Sequence, residues 1–214
     1  MQAAALILVD LQNDFMPGGA LAVPTCDEVI PLINRLLPYF RLVIATQDWH
    51  PADHGSFATQ HPGYQPGDTI DLAGLAQLLW PVHCVQHTYG AALSKALDLK
   101  KINQIIPKGT NPQIDSYSGF FDNGHKQATG LAQYLYNNDI QHVYICGIAT
   151  DYCVKFTALD ACQLGFNTYL IEDACRGVNL QPNDSLKAIA KMRQSGVTII
   201  TSQDIFEHGP QGLC

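Results

Sequence analysis

Apolar and polar positions alternate between two regimes along the chain. Six short, nearly continuous apolar runs, at residues 4–9, 41–46, 102–106, 142–147, 167–171 and 197–201, predict strands covered on both faces. Between them the period lengthens to that of a helix. Val29, Ile33, Leu36 and Leu37 follow Thr25-Cys26-Asp27-Glu28, which has the form of a capping box. Leu131, Tyr134 and Leu135 share one face over residues 127–137. Val154, Ala158, Ala161 and Cys162 do so over 151–164, and Leu186, Ile189 and Met192 over 183–195, where Gly196 supplies a stop. Strand–helix alternation of this kind predicts an α/β fold: a doubly wound, mostly parallel six-stranded sheet with helices on both faces, in a single domain over residues 1–214. One stretch breaks the rhythm. Residues 48–93 are rich in His, Pro and Gly, and a long loop of that chemistry inside a compact domain points to function.

Composition narrows the class. The chain has 214 residues, 47% of them hydrophobic and 14% charged, with a net charge of −7. That apolar content is globular rather than disordered. The acidic balance runs through both halves and leaves no basic region for nucleic acid. No run reaches the roughly 20 apolar residues of a membrane span, and the N-terminus lacks the basic start of a signal peptide. Seven cysteines, at 26, 84, 146, 153, 162, 175 and 214, are odd in number and show no CxxC spacing. They read as buried thiols of a reducing compartment, so the expected location is cytoplasmic. The partner expected is a small molecule, with no nucleic acid and no membrane, and the expected state is a monomer or small homo-oligomer.

In a doubly wound sheet, sites form beyond the carboxyl ends of the strands. Asp10 follows the first predicted strand, Asp48 the second, Lys108 the third and Cys153 the fourth, so all four belong on one rim. A lone cysteine is more often a small buried hydrophobe than a nucleophile. Here, however, Thr150 or Asp151 can cap the next helix and place Cys153 in its first turn, where free N–H groups and the helix dipole favour a thiolate. Lys108 would add positive charge, and Asp10 could take the thiol proton and return it to a leaving group. The plainer alternatives are a solvated loop lysine and a turn carboxylate.

Asp48 and His50 are two apart and share a side on extended backbone. With His83 they make a carboxylate and two imidazoles, the donor set of catalytic zinc, iron or manganese sites. His54 is a further candidate, whereas His61 and His87 read as loop histidines.

These residues fall in motifs that resemble bacterial nicotinamidases of the isochorismatase-like cysteine hydrolase superfamily. The likeness begins at Asp10 with Gln12-Asn13-Asp14-Phe15. It continues through Thr46-Gln47-Asp48-Trp49-His50-Pro51 and Trp80-Pro81-Val82-His83-Cys84-Val85. It then runs through Lys108-Gly109 and Asp115-Ser116-Tyr117-Ser118-Gly119-Phe120 to Gly147-Ile148-Ala149-Thr150-Asp151-Tyr152-Cys153-Val154. The metal motif separates this group from metal-free carbamoyl-amide hydrolases, and the cysteine separates it from isochorismatases. The resemblance implies a triad of Asp10, Lys108 and Cys153. It implies one divalent metal ion, zinc first and iron or manganese as alternatives, held by Asp48, His50 and His83, with the part of His54 open. An oxyanion hole from the backbone N–H groups of Ala149 and Cys153 is implied as well, as is a cis peptide at Ile148–Ala149. Phe15, Leu21, Trp80 and Tyr117 match positions that wall a pyridine pocket, and Tyr152 lies beside the nucleophile. His87 stands where relatives commonly have glycine, which bears on the loop's shape.

The activity implied is hydrolysis of nicotinamide to nicotinate and ammonia through a cysteine thioester, in NAD salvage, with pyrazinamide as a second substrate. The rivals are another small-amide hydrolase of this fold, a non-catalytic protein binding a metal and a small aromatic ligand, and, weakly, a thiol redox protein.

Overall fold

The computed structural model describes residues 3–213; Cys214, one of the seven cysteines, lies outside them. Six strands form one all-parallel sheet: β1 (Ala3–Val9), β2 (Leu42–Asp48), β5 (Gln104–Lys108), β6 (Ile140–Ile148), β7 (Asn167–Arg176) and β8 (Thr198–Ile200). Their order is β5-β2-β1-β6-β7-β8. The central strand shows why the apolar runs were so continuous. Ala5 through Val9 are all wholly buried, as expected for a parallel strand with both faces covered.

The chain leaves β1 towards β2 and β5, then returns to the other side of β1 with β6. Right-handed crossovers therefore put α1 (Val29–Leu36) on one face, and α2 (Leu131–Asn137), α3 (Lys155–Gln163) and α4 (Asp184–Gln194) on the other. The packing agrees: α1 and the last helix, α5 (Ser202–His208), meet each other and β7, while α3 packs on β7 and against α4. The strand order reverses between β1 and β6, so the crevice beyond their carboxyl ends is the switch point where such folds bind ligands. Among the described residues, no helix is long and apolar enough to cross a membrane.

Several details depart from the sequence reading. Thr25 and Glu28 do not cap α1. Thr25 is left-handed, at φ 53°, and a single 3-10 turn over Cys26–Glu28 precedes the helix. The Thr25 hydroxyl accepts from Arg176 Nε at 3.1 Å, and Glu28 pairs with Arg176 Nη2 at 3.1 Å, so both side chains are engaged by β7 instead. The reciprocal arrangement occurs at α5, an element the hydrophobic period did not reveal, where Thr201 N–H donates to Asp204 at 2.7 Å. Residues 127–130 stay outside α2, which starts only after left-handed Gly130. Within the His/Pro/Gly-rich stretch lies an antiparallel hairpin, β3 (Thr69–Leu72) and β4 (Leu75–Leu78). Its turn is Ala73-Gly74, both with positive φ. The hairpin carries no Asn-Gly or Asp-Gly signal, and four-residue strands are too short to stand out by period.

Candidate active site

Four strand ends converge at the switch point. Asp10 comes immediately after β1 and has φ 50°, a left-handed conformation that Asp tolerates better than most residues. Asp48 and Lys108 are the last residues of β2 and β5 and lie directly opposite each other in the ladder. Cys153 follows β6 in a single π-type turn, Thr150–Val154, that leads into α3; such turns recur at functional sites.

Lys108 is the centre of the cluster and is 2% exposed, not a solvated loop lysine. Its ammonium lies 2.9 Å from Asp10 Oδ2 and 2.5 Å from Asp48 Oδ1. It also donates to the Ser116 carbonyl at 2.9 Å and approaches Cys153 Sγ at 3.4 Å. Burial works to lower its pKa, but the facing Asp10 and Asp48 carboxylates hold it well above the ordinary lysine range. Asp10 is fixed by Thr46, whose hydroxyl donates to Oδ1 at 2.6 Å and accepts from the Asp10 N–H at 3.2 Å. Burial raises Asp10 to about 6, with Lys108 pulling down and Asp48 pushing up. Burial also drives the Cys153 thiol well above its usual range, against the pull of Lys108. The expected helix-terminus stabilisation of a resting thiolate does not prevail here, because desolvation outweighs it. Nor do Thr150 or Asp151 cap the turn. Tyr152 and Val154 N–H groups converge on the Ala149 carbonyl at 3.0 and 3.1 Å. The Asp151 carboxylate instead accepts from the N–H groups of Val178 and Asn179. The Ile148–Ala149 peptide is cis.

The other oxygen of Asp48 faces two imidazoles. Oδ2 is 3.7 Å from His50 Nε2 and 3.9 Å from His83 Nε2. His50 Nδ1 is hydrogen-bonded with the Gly109 carbonyl and His83 Nδ1 with that of Pro81, each at 2.8 Å. Those bonds leave both Nε2 atoms directed at the carboxylate, the outer-shell support that metal-binding histidines characteristically have. Gly109 has φ 63°, and a Cβ there would run into the His50 ring. Burial and the neighbouring His50 lower His83 to about 4, which keeps it neutral and able to ligate. Asp48, His50 and His83 are all buried and could hold a metal ion. His54 is not in that trio but packs against one of its members, with its ring centroid 4.3 Å from that of His50, and forms a second group with His50 and Asp115. Its Nδ1 lies 2.7 Å from the Ser56 hydroxyl, and its Nε2 is buried without a hydrogen-bond partner.

Cys153 and Asp48 line one small, mostly apolar cavity at this rim. Phe15, Leu21, Trp80, Tyr117 and Tyr152 all line it, together with Ala149 and Cys153. Tyr152 packs edge-on against Trp80, with ring centroids 4.9 Å apart, and 5.5 Å from Tyr117. His87 keeps the loop shape a glycine would give, at φ 64°, and its ring meets Trp49 edge-on. His61 is bonded through Nε2 to the Gly55 carbonyl.

Sequence reasoning missed several supporting residues. Thr46 was legible in principle, since it shares a strand face with Asp48. Gln12 grips the Asp48 backbone at both ends, donating to its carbonyl at 2.7 Å and accepting from its N–H at 2.8 Å. Asp14 accepts from the Cys84 N–H at 2.7 Å and so ties the His83 segment to the β1 loop. Val23, Val178 and Asp115 complete the cavity wall.

The family profile described as "Isochorismatase domain" matches residues 4–204. The chain is 51% identical to a nicotinamidase of Escherichia coli (strain K12) over 208 residues, covering 95% of this chain and 97% of that protein. Among solved structures, an Acinetobacter baumanii nicotinamidase/pyrazinamidase superposes with a TM-score of 0.91 at 49% identity, over 96% of this chain and 99% of that one. The pyrazinamidase of Pyrococcus horikoshii, solved in complex with zinc, matches with a TM-score of 0.76 at 42% identity, over 92% and 98%. Family profile, sequence identity and fold agree: the chain belongs to the isochorismatase family, in the branch that holds the nicotinamidases.

Proposed function

We propose that this protein, read as one hydrolase domain over residues 1–214, hydrolyses nicotinamide to nicotinate and ammonia, a step of NAD salvage, and accepts pyrazinamide in the same way. The observation that carries this reading is the meeting of Asp10, Lys108 and Cys153 with Asp48, His50 and His83 around one small aromatic-walled cavity. The donor set fits a divalent cation such as zinc, iron or manganese. Bound there, such a cation supplies a Lewis acid for the ring nitrogen of the substrate.

The protein's own groups perform the chemistry. Aromatic walls hold the ring flat and point the carboxamide at Cys153. Because burial keeps the thiol protonated, its proton passes to Asp10 as sulfur attacks the carbonyl carbon. Asp10, tuned near neutrality, suits both uptake and return of that proton. The backbone N–H groups of Ala149 and Cys153 receive the developing oxyanion; loss of one such donor typically costs about 100- to 1000-fold in turnover. Asp10 then protonates the departing nitrogen, the C–N bond breaks, and ammonia leaves a thioester on Cys153. Water gives a proton to Asp10 and its oxygen to the acyl carbon, and the thiolate departs and is reprotonated. Lys108 remains cationic throughout and offsets the charge on Asp10 and the sulfur.

The test is ammonia release from nicotinamide by purified protein, beside Cys153→Ala and a chelator-treated sample. Release that both treatments abolish supports the proposal. No release by folded, metal-loaded protein would refute it and turn attention to carbamoyl amides.

A further inference from the structure

The hairpin that the sequence pattern concealed places one polar side chain beneath the cavity. Gln77, on β4, is 3% exposed. Its Nε2 has two protons for three acceptors: the Leu78 carbonyl at 2.7 Å, and Asp115 Oδ2 and the Tyr117 hydroxyl, each at 3.2 Å, so one N–H is shared. Two of these acceptors are a carbonyl and a carboxylate, so the amide cannot be turned to present its oxygen there. Trp80 Nε1, which can only donate, reaches the same Tyr117 hydroxyl at 3.1 Å.

A phenolic oxygen has two lone pairs and one proton. Trp80 takes one lone pair and a shared Gln77 N–H faces the other, and since neither nitrogen can accept, the phenolic proton points away from both donors. Burial, with Asp115 adding to it, keeps that hydroxyl protonated well above the ordinary tyrosine range. Tyr117, Trp80 and Asp115 all line the cavity, whereas Gln77 lies behind them.

We propose that Gln77 is a positioning residue: with Trp80 it locks the ring plane of Tyr117 and commits the Tyr117 O–H as a hydrogen-bond donor to a small aromatic amide in the cavity. This rests on the nicotinamide reading above. It assigns the hairpin a part in substrate recognition, acting through Tyr117 rather than by contact with the substrate.

The experiment is a double-mutant cycle on wild type, Gln77→Leu, Tyr117→Phe and the double variant. It records KM and kcat for nicotinamide on metal-loaded protein, with thermal unfolding as the check on folding. A buried hydrogen-bonding group left without its partner costs roughly 1–3 kcal/mol, and about 1.4 kcal/mol is tenfold. Gln77→Leu is expected to raise KM about tenfold with kcat within about twofold, and Tyr117→Phe to do the same. The double variant is expected to be no worse than the weaker single, because both remove one device. An unchanged KM in Gln77→Leu, a loss confined to kcat, or fully multiplicative effects would overturn the proposal. Tyr117→Phe, which removes a single oxygen, carries the test if Gln77→Leu does not fold: an unchanged KM there overturns it equally. Wild-type protein inactive on nicotinamide would instead sink the functional reading itself.

Discussion

Replacing Lys108 by Met removes one charge from a site where every contact of that charge is known. The ammonium now faces two buried carboxylates, at 2.9 and 2.5 Å. Methionine fills much of the same volume, so packing changes little and the electrostatic loss dominates. Removing one partner of a buried ion pair typically costs about 3–5 kcal/mol. For a chain of this length each kcal/mol moves Tm by about 2–4 °C, so a fall of about 6–20 °C is expected. The loss depends on pH in a definite sense. Asp10 already titrates near 6, and without Lys108 its folded-state value rises further above the unfolded carboxylate. A group raised on folding contributes stability that is fully present below its unfolded pKa and lost as pH rises through its folded one. The gap between variant and wild type therefore widens from pH 5 to pH 8. Activity responds in the same direction, because a protonated Asp10 cannot take the thiol proton. Ammonia release at pH 7 should drop by about 100-fold or more, the ordinary worth of general acid–base catalysis, and its acid limb should move to higher pH. Thermal unfolding at the two pH values and a pH–rate profile, both with metal saturating, test this. A Tm within about 2 °C of wild type at pH 8, with the acid limb unmoved, would refute the view that Lys108 holds the two carboxylates charged.

Three further outcomes are expected. The wild-type kcat/KM profile should fall on its acid side with a midpoint near 6, following Asp10; a flat profile down to pH 5 in metal-saturated protein would contradict that assignment. His83→Ala should bind less zinc by elemental analysis after dialysis, while Cys153→Ala keeps its full load; loss in Cys153→Ala with none in His83→Ala would mean that the thiol, not the imidazole, holds the ion. Gly147→Ala should destabilise the protein by about 3 kcal/mol or more, since Gly147 has φ 122° and an added Cβ would run into the Val9 carbonyl. Denaturant titration measures this, and a shift under 1 kcal/mol would show that β1 and β6 yield more easily than their packing suggests.

The sheet was legible because its strands are covered on both faces, which leaves an unbroken apolar signature in runs such as Ala5–Val9. The rim was legible for a related reason: in a parallel sheet, whatever polar residue ends a buried strand is delivered to one edge. That logic brought Asp10, Asp48, Lys108 and Cys153 together without any knowledge of distances. It could not assign a role to Gln12 or Gln77, whose amides work by bonds to particular backbone and side-chain atoms that no spacing in the sequence announces. It misplaced the capping box because Thr25 and Glu28 are claimed by Arg176, a residue about 150 positions away. Desolvation of Cys153 was equally hidden, since burial of a thiol is a property of the assembled rim and not of the turn that carries it.

Asp48 divides its two oxygens, one towards the Lys108 ammonium and the other towards the imidazoles of His50 and His83. On the proposed reading, the nucleophile and the residues that would hold the cation are thus wired to opposite ends of a single carboxylate. Chelation is therefore a poor scalpel: withdrawing the ion also alters the charge that Lys108 and, through it, the thiol experience. Lost activity after such treatment reports on both halves together. Attribution requires variants that cut on one side only, Cys153→Ala or His83→Ala, each assayed for the function of the other half.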